Sequence, residues 1–373
     1  MNNLKMLINK YHYGGIKNPL FAPVAFILRF FAFFYFIVIC AKNFLYNKNI
    51  LKEKKCDPFV ICVGNLTTGG VGKTPLVCEL ANYCSNVLGK KTAIISRGYG
   101  AKLNNKKVNV IKNESEILFD DGKICGDEPL MIAKKTNGAI VLTCKDRVRA
   151  TNFAKENFGC EIVILDDGFS NRTIKKDVTI LAIDSKKLFG NKLTLPAGPL
   201  REPVWQVKRA DFIAIINKEQ KNITNLKENI LKFANKENGI ICNFCEDKFY
   251  YIKDGKKFTP NTDKIGAFCA IGQPEQFYQF LHKKFDLAFT KSFADHHKYT
   301  QKDILELENL TRKNGTKTLI TTQKDEVKIQ ELIKESNINF VAFELKIDFE
   351  NDKLYNYIKK ELEKYETERN LQQ

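Results

Sequence analysis

Histidine is scarce in this 373-residue chain, which has four: His12, His282, His296 and His297. Only the last two are adjacent, and no third ligand stands at useful spacing, which argues against a zinc site. Internal repeats of about 20–50 residues and long low-complexity tracts are absent, setting aside solenoids and disordered linkers. Paired cysteines are nearly absent. The 11 cysteines are scattered singly, several inside apolar runs such as 59–63, the pattern of buried thiols in a reducing compartment. The lone Cys-x-x-Cys, Cys242 to Cys245, has no second pair at zinc spacing and reads as structural. No basic run is interleaved with stacking aromatics, so no nucleic-acid partner is expected. No small-residue cleavage site follows the apolar N-terminal stretch, which argues against a secretory signal.

Acidic residues are also the minority. The formal net charge is +17, carried mostly by lysines spread over the whole chain. Such a balance suits an anionic membrane surface or an anionic substrate, or is a compositional bias. The membrane reading gains from residues 19–46, the most apolar stretch, with an unbroken aliphatic and aromatic core at 30–39. A bilayer span needs about 20 apolar residues. Residues 20–41 nearly supply that length if Arg29 snorkels, and Lys42, Lys48, Lys52, Lys54 and Lys55 follow. A helix lying in the headgroup region fits equally well, and a buried core helix is the third reading.

From residue 58 the pattern changes. Short apolar runs at 59–63, 92–96, 139–143, 161–166 and 178–184 alternate with helical segments near 75–88 and 146–157. Fully apolar strands alternating with helices predict a mostly parallel sheet covered by helices on both faces. A second alternating region follows, with strand-like runs at 212–216, 267–271 and 318–322, and a charged helical tail from residue 354. The expected organisation is an apolar N-terminal helical segment (1–50), an α/β core (51–209), a smaller α/β domain (210–345) and a charged C-terminal helix (346–373).

The most informative motif is Val63-Gly64-Asn65-Leu66-Thr67-Thr68-Gly69-Gly70-Val71-Gly72-Lys73-Thr74-Pro75, between the first strand and the first helix of that core. It matches the phosphate-cradling P-loop, Gly-x-x-x-x-Gly-Lys-Ser/Thr, with Thr67 in place of the first glycine. Backbone N–H groups of the loop and the helix N-terminus face an anion. Lys73 would reach the β- and γ-phosphates of ATP, and the Thr74 hydroxyl would sit on Mg²⁺. A P-loop NTPase-type fold follows. Asp166 and Asp167 end a second apolar strand, the place for a carboxylate that holds the magnesium or its water; a helix cap or turn is the alternative.

Other candidates are less determined. Asp127 and Glu128, in Gly126-Asp127-Glu128-Pro129, are either helix N-terminal charges or acids near the γ-phosphate. His296, beside Asp295, is either a proton relay or part of a polar loop. Arg97, Arg147, Arg149 and Arg201 stand out where lysine dominates. Guanidinium suits phosphate, but a surface ion pair is its commoner fate.

Taken in order, these motifs resemble the tetraacyldisaccharide 4'-kinases, the lipid A 4'-kinase family. The resemblance runs from the apolar N-terminus through the Gly64–Pro75 motif, Ser96-Arg97-Gly98-Tyr99-Gly100, Gly126-Asp127-Glu128-Pro129 and Asp166-Asp167-Gly168-Phe169. It continues through the Pro196 to Pro203 segment, Ala270-Ile271-Gly272-x-Pro274, Phe293-x-Asp295-His296 and Thr322-x-Lys324-Asp325. Thr67 in place of glycine is that family's own form. The resemblance implies transfer of phosphate from ATP, with Mg²⁺, to the 4'-hydroxyl of a lipid A disaccharide precursor at the cytoplasmic face of the bacterial inner membrane. The implied nucleotide site is Thr67, Thr68, Gly69, Gly70, Val71, Gly72, Lys73 and Thr74. Asp127 would be the base, paired with His296. Thr74, Glu128, Asp166 and Asp167 would serve the metal, and Arg147 and Arg201 would steady phosphate, with Tyr99 nearby. No protein partner is implied. The family follows Asp-Asp-Gly-Phe with Gln-His where this chain has Ser170-Asn171, which puts substrate fit in question there. Two rival readings are a membrane-attached ATPase that switches a protein partner and a nucleotide-binding assembly module.

Overall fold

The computed structural model describes residues 7–8, 10–14, 21–259, 264–272, 274–294 and 297–371. The strands are β1 (Phe59–Gly64), β2 (Thr92–Ser96), β3 (Asn109–Lys112), β4 (Ile140–Thr143), β5 (Ile162–Asp166), β6 (Val178–Asp184), β7 (Phe212–Asn217), β8 (Gly239–Tyr251), β9 (Ile265–Cys269), β10 (Leu287–Ser292), β11 (Thr318–Thr322) and β12 (Asn339–Phe349). They form one sheet in the order β10-β9-β11-β12-β8-β7-β6-β1-β5-β2-β4-β3. The predicted apolar runs are therefore strands, to within about two residues at each end. The expected α/β architecture, mostly parallel with flanking helices and an apolar N-terminal helix, is the one observed.

Among the described residues, all pairings between these strands are parallel except two. β3 runs antiparallel on β4 at one edge, and β12 runs antiparallel beside β8. The second exception joins two parallel halves. β10, β9, β11 and β12 lie on one side of it, and β8 to β4 on the other. Alternation within each buried strand sends side chains to opposite faces. Ile61, Val63, Ile94, Ile162 and Ile164 enter one core, and Val60, Cys62, Ile95, Val163 and Leu165 enter the other. The first core is covered by α2 (Lys73–Asn82) through Leu76 and Leu80, by α3 (Asp127–Lys135), and by the C-terminal helix Lys353–Asn370 through Leu354, Ile358 and Leu362. The second is covered by α4 (Arg147–Phe158), which buries Ala150 and Ala154. The helical run continues from α2 through a π turn at Tyr83–Val87, close to the 75–88 reading.

α1 (Ala22–Asn47) precedes this sheet. Its 26 residues have a mean hydropathy of 2.5 over the most apolar stretch, long and apolar enough to cross a membrane by length and composition. Only 11% of that stretch is buried, so the core-helix reading fails. Phe26, Phe30, Phe33 and Val38 are open to the outside, at 54–73% exposure.

Candidate functional site

The loop after β1 is shaped by its glycines and its neighbours. Gly72 has φ +108°, and a Cβ there would come within 2.6 Å of the Phe244 ring. No L side chain fits that position without displacement. Thr67 is buried behind the loop, where Asn65 Nδ2 donates to its carbonyl at 2.6 Å and its hydroxyl lies at 3.3 Å. The segment after Pro196 braces the loop. Thr68 N–H donates to Pro199 O, and Arg201 N–H donates to Leu66 O, each at 2.7 Å. Gly69, Gly70, Val71, Gly72, Lys73 and Thr74 line the floor of a cleft of about 2790 Å³.

Lys73 donates to Asn65 Oδ1 at 2.7 Å and pairs with Asp167 at 3.2 Å. Arg201 Nη1 meets the other Asp167 oxygen at 2.7 Å. Burial would raise the Asp167 carboxyl, but Lys73 and Arg201 outweigh it and hold it down at about 2. Asp167 also sits at φ +56°, a left-handed conformation that Asp tolerates better than most residues. Asp166, at the end of β5 and 3% exposed, goes the opposite way. Burial first, then the charge of Glu128, pushes its carboxyl up to about 7. Two adjacent carboxyls thus differ by environment alone. A carboxyl so disfavoured as an anion suits a cation that would neutralise it. Among the described residues no group of three or more His, Cys, Asp or Glu could chelate an ion alone. The set fits a hard cation that takes one or two carboxylates and completes its shell with phosphate oxygens.

Arg147 lies 3% exposed beneath this pair. Its guanidinium donates to Cys144 O and, at 3.2 Å, to Asp166 O, while its Nε has no partner. It holds the ends of β4 and β5 together, and so fixes where the Asp166 carboxyl points. Arg97 and Tyr99, at the end of β2, are exposed on the cleft wall.

Asp127 and Glu128 begin α3 and reach the same cleft. Sequence reading missed the residue opposite them, Lys328, on α7 (Gln323–Ile329; Gln301–Lys313 is α6 and Thr224–Ala234 is α5). Its Nζ stands 3.3 Å from Asp325, which is fully buried, and 3.9 Å from Asp127. Asp325 also accepts from Ala270 N–H at 3.0 Å and Thr322 Oγ1 at 2.8 Å. That explains why Asp325 stands where it does in Thr322-x-Lys324-Asp325. The only sequence signal for Lys328 was its one-turn spacing from Asp325. His296 and Asp295 lie outside the described residues. The neighbouring His297 pairs with Asp303 at 3.2 Å and stacks on Phe293.

α1 docks beside the site. Tyr35 OH donates to Arg201 O and Lys42 Nζ to Ser170 O, both at 2.9 Å. Asn43, 3% exposed, donates to Glu202 at 2.9 Å and accepts from Arg209 at 3.2 Å. Arg209 in turn lies over the Phe169 ring at 4.5 Å. Ser170 and Asn171 therefore occupy the joint between the Asp166-Asp167-Gly168-Phe169 turn and α1. Asn171 Oδ1 accepts from the Thr173 N–H and hydroxyl, closing a tight turn.

The chain is similar to known proteins over most of its length. The family model for tetraacyldisaccharide-1-P 4'-kinase (LpxK) matches residues 24–363. A tetraacyldisaccharide 4'-kinase of Syntrophus aciditrophicus is 32% identical over 328 residues, covering 84% of this chain and 86% of that protein. One from Halothermothrix orenii is 34% identical over 326 residues, covering 82% and 83%. Among solved structures, LpxK from Aquifex aeolicus in complex with ATP aligns with a TM-score of 0.73 and 29% identity, over 91% of this chain and 99% of that one. A match of that extent, on a chain whose P-loop, paired aspartates and Asp127 meet in one cleft, places this protein in the tetraacyldisaccharide-1-P 4'-kinase family.

Proposed function

We propose that the protein transfers the γ-phosphate of ATP to the 4'-hydroxyl of a tetraacyldisaccharide 1-phosphate, working against a membrane surface. The observation that carries this reading is the convergence of Lys73, Asp166, Asp167, Arg201 and Asp127 on one cleft whose rim is the docked face of α1. The P-loop amides and Lys73 bind the β- and γ-phosphates. Arg201, already committed to Asp167, is placed to share its charge with an incoming phosphate. Thr74, Glu128, Asp166 and Asp167 are the residues that would hold Mg²⁺ or its water. The ion supplies charge neutralisation on the phosphate oxygens.

Asp127 takes the proton of the attacking 4'-hydroxyl, with His296 as its partner in that step. The hydroxyl oxygen bonds to the γ-phosphorus, the bond to the β,γ-bridging oxygen breaks, and ADP leaves. A positioned base contributes on the order of 10²–10⁴ in rate. The P-loop and the strand-end acids need only hold the reactants in line, the larger part of catalysis in phosphoryl transfer. The exposed apolar face of α1 and the lysines after it, with the +17 net charge, favour an anionic lipid surface on the cytoplasmic side of the bacterial inner membrane.

The test is incubation of the full chain with γ-labelled ATP, Mg²⁺ and the monophosphorylated disaccharide lipid in detergent micelles. Label is expected in the lipid, and is lost with Lys73→Ala. Asp127→Asn is expected to lower kcat by on the order of 10²–10⁴ while the Kd for ATP changes little. ATP hydrolysis without labelled lipid would overturn the acceptor assignment.

A further inference from the structure

The chain has a single tryptophan, Trp205, and folding leaves it 50% exposed. It belongs to a short 3₁₀ helix, Val204–Arg209, directly after the segment that braces the P-loop. A loose loop is not the cause of its exposure. Glu202, Pro203, Gln206 and Val207 are buried on either side of it, so the backbone is seated and the indole is held outward. The ring packs edge-on against Phe36 of α1, with centroids 5.7 Å apart and planes at 83°. Phe33, one turn back from Phe36 on the same side of the helix, is 60% exposed. Trp205 thus continues the outward apolar face of α1 onto the folded body of the protein. The exposed charge beside it is positive. A 3₁₀ helix eclipses positions three apart, which sets Lys208 next to Trp205, and Lys208 is exposed too. Glu202, the nearest acid in sequence, is 2% exposed and paired with Arg209 at 2.9 Å. An indole has apolar faces and one N–H donor, the combination that settles at the headgroup level of a bilayer. A lysine stem lies along such a surface and carries its ammonium group to the phosphates.

We infer that Trp205 and Lys208 form a second lipid contact, outside α1, at the headgroup level of an anionic bilayer. The patch is continuous with the exposed phenylalanines of α1 and carries positive charge, so the surface that receives α1 also receives it. The two cannot approach a bilayer independently. Ala32 O accepts from Thr194 Oγ1 at 3.3 Å, Tyr35 OH donates to Arg201 O at 2.9 Å, and Asn43 Nδ2 donates to Glu202 at 2.9 Å. These contacts lie on both sides of Phe36 and pin α1 lengthwise to the folded body. A helix pinned in this way lies in the interface, with the 3₁₀ helix beside it as a second support. Two supports on separate elements fix the rotation about the axis of α1, which one helix alone would leave free. The inference rests on the membrane reading of α1 and adds a contact on another element.

As the only tryptophan, Trp205 reports its own surroundings. The test is its emission in the full chain reconstituted into vesicles of phosphatidylcholine and phosphatidylglycerol. The acyl chains are plain, brominated near the carbonyl end, or brominated near the methyl end. Quenching is expected with both brominated lipids, and more strongly with bromine near the carbonyl end. Trp205→Ala is expected to weaken partitioning into plain vesicles about tenfold, the range for losing half the apolar area of a tryptophan, and Trp205→Phe to restore most of it. Vesicle-bound protein that neither brominated lipid quenches would overturn the second contact and leave α1 as the membrane element. Stronger quenching from the methyl end would overturn the headgroup placement. Emission that shifts with protein concentration at fixed lipid would overturn it in favour of a contact between two copies of the chain. A chain that does not enter vesicles at all would overturn the membrane reading of α1 itself. Each of these four outcomes is read on the unaltered protein.

Discussion

Asp166 and Asp167 are the residues whose surroundings most sharply divide chemically identical groups. Asp167, held at about 2 by Lys73 and Arg201 despite its burial, stabilises the fold wherever the unfolded carboxyl would also be ionised. That contribution is lost progressively as pH falls from the ordinary carboxylate range through about 2. Asp166, raised to about 7 chiefly by burial, acts in the other direction. Between about pH 4 and 7 the folded state keeps a proton that the unfolded state has released, so stability falls as pH rises and levels off above 7. Thermal unfolding of the metal-free protein should therefore show Asp166→Asn raising the midpoint at pH 8 by several degrees, with little change at pH 4. An unchanged midpoint at pH 8 would mean that Asp166 is not a buried charge. The same substitution should remove the Mg²⁺ dependence of ATP binding.

At the scale of elements, α1 and the strand-end turns divide what could be read early from what could not. The loop before α2 and the acids ending β5 were legible because each is a contiguous motif with a local cause: glycine-permitted backbone, or a carboxylate at a strand end. β12 was not. Its Glu344, Lys346 and Asp348 break the apolar pattern, and its antiparallel place beside β8 depends on pairing across about a hundred residues. The docking of α1 was equally hidden. An apolar run declares its own hydropathy but not that Asn43 meets Glu202 and Arg209. Asn43→Ala would remove one hydrogen bond from each of those partners, which stay paired with each other at 2.9 Å, and should cost about 0.5–1.5 kcal/mol in denaturant unfolding. Replacing Phe30, Phe33 and Val38 with Glu should abolish co-sedimentation with anionic vesicles and leave ATP affinity unchanged. Retained vesicle binding would move the membrane contact away from α1.

For the molecule as a whole, one sheet carries both halves, yet the cleft is closed by side chains from each. Lys328, anchored on buried Asp325 in one half, faces Asp127 in the other, and Lys134 donates to Gln330 across the same gap at 2.5 Å. Sequence could not reveal this link, because its partners stand about two hundred residues apart. Lys328→Met should lower kcat at least tenfold with the ATP Kd nearly unchanged. A loss in ATP affinity instead would assign Lys328 to the nucleotide. Tyr35 and Lys42, which fasten α1 to Arg201 and Ser170, are seven positions apart, roughly 10 Å along a helix. That fastening works as a depth gauge. A bilayer that received the apolar face of α1 would be held at a set distance from Arg201 and Ser170, which line the cleft. Only a hydroxyl standing at the matching height above the acyl chains is within reach, so an acceptor could be rejected for where its sugar sits in the membrane, even if its chemistry is right.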